Sequence, residues 1–182
     1  MRAVNARLLV VMSGLPASGK TSLGTLWSER LSVPLIDKDA ILETLFDTLG
    51  CPDHDERSRL SRASDEVLYR LAGSSHAAIL VNWWNHDTAP TRLRIIASSL
   101  VEVYCDCPVE VAAARFEERR RHPGHHDADR SAADIADGIR RVRDTYRGPS
   151  GVGGLVRVDT SRAVDPDHVT TLVSSAVAAA AP

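Results

Sequence analysis

The chain is poor in lysine, in cysteine and in long apolar runs. Only two of its 22 basic residues are lysine, and 24 acidic residues bring the formal net charge to −2. Such a balance excludes bulk electrostatic attraction to nucleic acid or to an anionic membrane as the organising principle. Three cysteines without an export signal lead us to expect a reducing, cytoplasmic setting. The apolar run at 8–12 is too short for a signal-peptide core. The run at 173–181, broken by Ser174 and Ser175, is too short to span a bilayer and reads as a docked final helix. Internal repeats and long linkers are missing as well. With 182 residues, 43% hydrophobic and 25% charged, the expectation is one globular domain over 1–182.

One of the two lysines stands in Gly14-Leu15-Pro16-Ala17-Ser18-Gly19-Lys20-Thr21, which has the Gly-x-x-x-x-Gly-Lys-Thr spacing of a phosphate-binding P-loop. The flanks suit it: an apolar strand-like run at 8–12 precedes it, and a helix-like stretch from Thr21 to about 31 follows. Glycines let the backbone wrap a phosphate with its N–H groups inward, and the helix start adds partial positive charge. The expected nucleotide contacts are Gly14, Ala17, Ser18, Gly19, Lys20, Thr21 and Ser22. Lys20 reaches the β/γ-phosphates, and Thr21 holds Mg²⁺.

Short apolar runs at 8–12, 33–36, 77–81, 100–105 and 155–158 alternate with helical stretches. Runs apolar on both faces point to an α/β fold with a five-stranded parallel sheet and helices on both sides. Arginine-rich helices are expected at about 109–121 and 132–147, beside loops at 122–127 and 148–154.

The second run leads into Asp37-Lys38-Asp39. Alternation along a strand lets Asp37 and Asp39 share a face at the sheet edge where the P-loop lies. A carboxylate there can hold Mg²⁺ through its outer shell or take the proton of an attacking hydroxyl. Asp39 also suits the N-cap of the next helix. The third run leads into Asn82-Trp83-Trp84-Asn85-His86-Asp87. Trp83, Trp84, His86 and Asp87 are candidates for contact with an organic acceptor, although core tryptophans followed by a turn read the same way. Asn82 stands where many P-loop NTPases carry an Asp, which disfavours a motor-type ATPase. Cys105, Cys107, His122, His125 and His126 lack a zinc spacing. The arginine-rich helices interleave Asp and Glu, so they read first as solvated faces rather than nucleic-acid readers.

A strand, the P-loop, a helix and then Ile-Asp-Lys-Asp-Ala-Ile-Leu-Glu over 36–43 resemble the small P-loop kinases. That group includes chloramphenicol phosphotransferase, shikimate and gluconate kinases, zeta-toxin-like kinases and polynucleotide-kinase domains. The resemblance implies a three-layer P-loop kinase fold with a helical lid at about 109–147, and ATP with Mg²⁺ as cofactors. It implies Asp39 as the catalytic base and a link of Asp37 to Mg²⁺. It also implies a lid in which Arg115 stacks on adenine and Arg119 stabilises the transferring phosphoryl group. Asp159, Thr160 and Ser161 would lie against the adenine, although these residues equally suit a turn and cap. The expected activity is transfer of the γ-phosphoryl of ATP to a hydroxyl of a small organic acceptor such as an antibiotic, sugar or metabolite. The alternatives are a 5′-hydroxyl nucleoside or polynucleotide kinase and a regulatory NTPase.

Overall fold

The computed structural model describes residues 7–127 and 130–180. Five strands form one parallel sheet in the order β2-β3-β1-β4-β5: β1 (Leu8–Gly14), β2 (Leu35–Asp37), β3 (Ala77–Val81), β4 (Ser99–Asp106) and β5 (Gly154–Asp159). The helices are α1 (Lys20–Leu31), α2 (Lys38–Leu49), α3 (His54–Ser74), α4 (Ala89–Ile96), α5 (Val109–Glu118), α6 (Ala132–Thr145) and α7 (Pro166–Ala180).

Side chains alternate along a strand, so β1 feeds two cores. Leu9 and Val11 join Leu68 and Ala72 of α3 and Leu93 of α4 on one face. Val10 and Met12 join Leu23 and Trp27 of α1 and Val169 and Val173 of α7 on the other. Burial on both faces explains why the strands are almost uniformly apolar. The result is the expected α/β fold, a five-stranded parallel sheet with helices on both faces. Of the boundaries that differ from the sequence expectation, two have a local cause in proline. Strand β2 begins at Leu35 rather than 33, because Pro34 has no N–H to give the ladder; its carbonyl still accepts from Ile79 N at 2.8 Å. Helix α5 ends at Glu118 rather than near 121. Arg119 is already extended, and Pro123 forces His122 out of the helical region. Arg119 therefore caps α5, one turn beyond Arg115.

One strand residue breaks the apolar pattern. Glu102 of β4 is fully buried. It accepts from Ser13 Oγ (2.5 Å), Ser150 N (2.7 Å), Ser150 Oγ (2.8 Å) and Gly151 N (2.8 Å), tying the glycine-rich loop before β5 to the sheet. Burial alone would raise its carboxyl, but these donors hold it below the usual range. A depressed folded-state pKa stabilises above the unfolded value and is lost as pH falls through the folded one. Glu102→Gln turns an amide N–H toward donors and is expected to cost about 3 kcal/mol at neutral pH. In urea titrations the gap between wild type and variant should be flat above about pH 5 and shrink below about pH 4. A gap that does not change with pH would assign the loss to packing alone.

A third apolar cluster joins Leu15 of the P-loop, Cys107 just before α5, Ala112 of α5, and Val142 and Tyr146 at the end of α6. The α5–α6 pair is thus packed directly on the P-loop. Helix α6 opens on a reciprocal capping box of Ser131 and Asp134. Among the described residues, no helix is long and apolar enough to cross a membrane.

Candidate active site

The segment from Gly14 to Gly19 leaves β1 and enters α1 at the carboxyl end of the sheet. Gly14 has φ 133°, and a Cβ there would sit 2.6 Å from the Cys105 carbonyl, so β4 leaves no room for a side chain. Gly19 (φ 94°) is the N-cap of α1, which has no side-chain cap and no acidic residue in its first turn. Its first N–H groups are left for an anion. Lys20 is buried, and its ammonium donates to the carbonyls of Gly14 (3.0 Å) and Leu15 (2.7 Å). Burial pushes its pKa down to about 8, against the attraction of Cys105, Asp39 and Asp37. A polyphosphate on the loop would supply the countercharge that these carbonyls only partly provide.

Thr21 Oγ1 donates to Asp37 Oδ2 at 2.9 Å, and Asp37 Oδ1 accepts from Asp39 N at 2.9 Å. Asp37, not Asp39, is therefore the N-cap of α2. The strand ends at Asp37, so the two carboxylates are set by a strand end and a helix start rather than by strand alternation. Burial raises the Asp37 carboxyl. The adjacent Thr21 hydroxyl and Asp37 carboxylate are hard oxygen donors that fit Mg²⁺, which takes few protein ligands and completes its shell with phosphate and water. No group of three or more His, Cys, Asp or Glu is placed to hold a metal among the described residues.

A cleft of about 700 Å³ runs from this loop past Asp37 and Asp39. Of the residues singled out in the sequence, Ala17, Gly19, Lys20, Thr21, Ser22, Asp37, Asp39, Trp83, Arg115 and Arg119 line it. Asp39 accepts from Arg121 Nη2 at 3.3 Å, and Arg121 Nη1 also donates to Asp127 at 2.7 Å. Trp83 is half exposed, with one face stacked on Tyr146 (centroids 5.7 Å apart). Arg115 donates to the carbonyls of Thr160 (2.7 Å) and Ser161 (3.2 Å), which joins α5 to the loop after β5. Asp159 accepts from Ser161 N and Oγ, as an Asx turn does, while Thr160 is buried.

Three expected acceptor contacts are not in the cleft. Trp84 points into the core and donates from Nε1 to the Met12 carbonyl at 2.7 Å. Its indole satisfies a backbone acceptor while burying its rings, so it belongs to the sheet. Asp87 is exposed and pairs with Arg147 at 3.0 Å, and His86 lies edge-on to Tyr146. The cleft's further wall comes from α3, with Arg57 and Ser61. Ser61 Oγ accepts from Lys38 Nζ at 2.8 Å. The sequence reading missed both residues: their i,i+4 spacing puts them on one helical face, but nothing in a polar helix surface marks which side meets the cleft. Asn82 donates to Asp65 of α3 at 2.8 Å, so α3 brings a carboxylate to the end of β3.

A protein family described as the AAA domain matches residues 9–144. The chain belongs to the AAA-domain family. This P-loop family assignment is joined by likeness to solved kinase structures. A candidate kinase from Chloroflexus aurantiacus J-10-fl is similar at 25% identity and TM-score 0.80, over 98% of this chain and 100% of that one. Shikimate kinase from Bacteroides thetaiotaomicron is similar at 13% identity and TM-score 0.60, over 92% and 98% of the two chains. A gluconokinase from Sinorhizobium meliloti 1021 is similar at 19% identity and TM-score 0.55, over 97% and 92%. No curated protein matches in sequence. This AAA-domain chain thus has the fold of small P-loop kinases.

Proposed function

We propose that this AAA-domain protein is an ATP-dependent phosphotransferase that moves the γ-phosphoryl group of ATP to a hydroxyl of a small organic acceptor. The observation that carries the reading is the shared cleft, with Lys20 and Thr21 at one end and Asp39 beside them. In this reading the α1 N-terminus and Lys20 hold the phosphates, and Thr21, with Asp37 behind it, holds Mg²⁺ when the metal is bound. The metal supplies neutralisation of phosphate charge. Asp39 orients the acceptor hydroxyl and takes its proton. Arg119, at the end of α5, stabilises charge on the transferring group. Arg115, bound to the loop of Thr160 and Ser161, forms the adenine end. The α5–α6 pair is the lid over residues 109–147 that excludes water. The exposed face of Trp83 is the apolar surface on which the acceptor rests.

The test is purified protein with γ-labelled ATP, Mg²⁺ and a panel of antibiotics, sugars, hydroxylated metabolites, nucleosides and 5′-hydroxyl oligonucleotides. Label should pass to one small-molecule class. Transfer only to 5′-hydroxyls would select the nucleoside or polynucleotide kinase reading. Label released only as free phosphate, at a rate indifferent to Asp39, would replace both with a regulatory NTPase.

A further inference from the structure

The segment that carries Arg121 turns through Pro123–His125 and inserts His125 under α2. The His125 side chain is fully buried. Its Nε2 lies 3.0 Å from Glu43 Oε1, while Arg121 Nη2 lies 3.1 Å from Nδ1 and 3.4 Å from Nε2, over the ring rather than on the lone pair of either nitrogen. The partners decide the tautomer. A carboxylate only accepts, so the proton sits on Nε2 toward Glu43, and in the neutral ring Nδ1 is the bare nitrogen. The same Nη2 donates to Asp39 Oδ2 at 3.3 Å. Glu43 is one helical turn beyond Asp39 on α2, so the chain of contacts closes on a single helix. The ring is locked from its side as well: Phe46 meets it edge-on at 5.3 Å, and a Cβ on Gly124 would lie 2.5 Å from Phe46.

We propose that Glu43 and His125 are positioning residues for the phosphotransfer reading above, on which this inference rests: Glu43 fixes the His125 tautomer, His125 anchors Arg121, and Arg121 is thereby held beside Asp39. Neither residue touches the cleft. They act through Arg121, which has a second hold on Asp127.

A consequence follows for pH. The charged groups facing His125 are Glu43 and Asp39 from α2 and Arg121 from the segment after α5. Its neighbours in the turn face elsewhere, His122 toward Asp47 and His126 toward Cys51. Burial lowers the His125 pKa and Arg121 lowers it further, while Glu43 and Asp39 oppose them. Burial and Arg121 both favour the neutral ring, and acid adds a proton at Nδ1 and a positive charge to the ring. Two cations are then in contact, with Arg121 Nη2 3.1 Å from Nδ1 and 3.4 Å from Nε2, and Arg121 leaves Asp39.

The test uses the intact chain, with Glu43→Gln as the main variant because Glu43 is one-third exposed, whereas a change at buried His125 endangers folding. Ring ¹⁵N shifts give the tautomer and titration of His125, the ¹³C shift of the Asp39 carboxyl follows Arg121, and ATP·Mg²⁺ hydrolysis gives the rate profile. Wild type should show the Nε2–H tautomer at pH 7 and an Asp39 inflection at the His125 midpoint. Glu43→Gln removes the anion that favours imidazolium, so the midpoint should fall by about half a pH unit or more. The Asp39 inflection and the acid limb of the rate should move with it. An Nδ1–H tautomer, a midpoint that does not move, or an Asp39 inflection that stays while the midpoint moves would each overturn the inference. Asp39→Asn turning ATP over at the wild-type rate and pH profile would instead overturn the underlying role of Asp39, whatever His125 does.

Discussion

Lys20→Met is expected to lower phosphoryl transfer by about 10³-fold or more while leaving the folded protein at least as stable as wild type. The loss follows from position. Lys20 is the P-loop cation, its ammonium is folded back on the Gly14 and Leu15 carbonyls, and removing one preorganised donor from a transferring anion typically costs about 10²–10³-fold. Here the donor also carries the charge. The gain in stability follows from burial. A lysine lowered from 10.5 to about 8 is penalised in the folded state at neutral pH by about 3 kcal/mol. The sign is that of a group with a depressed basic pKa. The folded state binds fewer protons between the two values, so wild-type stability rises as pH climbs from about 8 to 10.5. Met keeps the apolar stem and removes the penalty, against the loss of two hydrogen bonds to carbonyls. Urea titrations at pH 7 and pH 10 should show the variant's advantage shrinking at the higher pH. Single-turnover transfer with γ-labelled ATP should show the activity lost at both. A variant with wild-type transfer would remove the P-loop from the chemistry; one that unfolds would mean that the carbonyl contacts outweigh desolvation.

That opposition between stability and function explains which parts of the molecule were legible in the sequence. The P-loop was legible because its glycines answer to backbone constraints: β4 touches Gly14, and Gly19 opens α1 with a positive φ. The sheet was legible because both faces of β1 are buried, which leaves an uninterrupted apolar run. The acceptor side was not. Trp83 and Trp84 are adjacent, and only the path of the loop after β3 decides that Trp84 seats under Met12 while Trp83 stacks on Tyr146 at the cleft. Arg121 looked like one member of an arginine row on a helix. That helix ends at Glu118, and the guanidinium turns inward to Asp39, Asp127 and His125. Glu102 was read as part of an apolar strand, because pattern alone does not show that a loop 48 residues away will return to donate to it. Short-range rules captured what the backbone dictates. Tertiary contacts between separate elements, which build the acceptor side, left only residue types behind.

Asp39→Asn separates chemistry from binding, and the expected loss in transfer is about 10²–10⁴-fold, the range that a positioned general base contributes. Asn preserves the shape of Asp39 and its oxygen toward Arg121. Arg121 is also held by Asp127 at 2.7 Å and by His125, so the cleft wall should survive the substitution. Asp37 remains the N-cap of α2 and keeps its bond from Thr21, so the metal side of the site is unchanged as well. The loss should therefore fall on the chemical step. Calorimetric affinity for ATP·Mg²⁺ should stay within about threefold of wild type, because Asp39 contacts neither the loop nor Thr21 in this arrangement. Removing its negative charge also slightly weakens the field that keeps Lys20 protonated, which works in the same direction as the loss of the base. If transfer survives in Asp39→Asn with unchanged kcat, the acceptor hydroxyl needs no base from this helix. The reaction would then rest on positioning and phosphate electrostatics alone, and Arg121 would hold Asp39 for structure rather than for proton transfer.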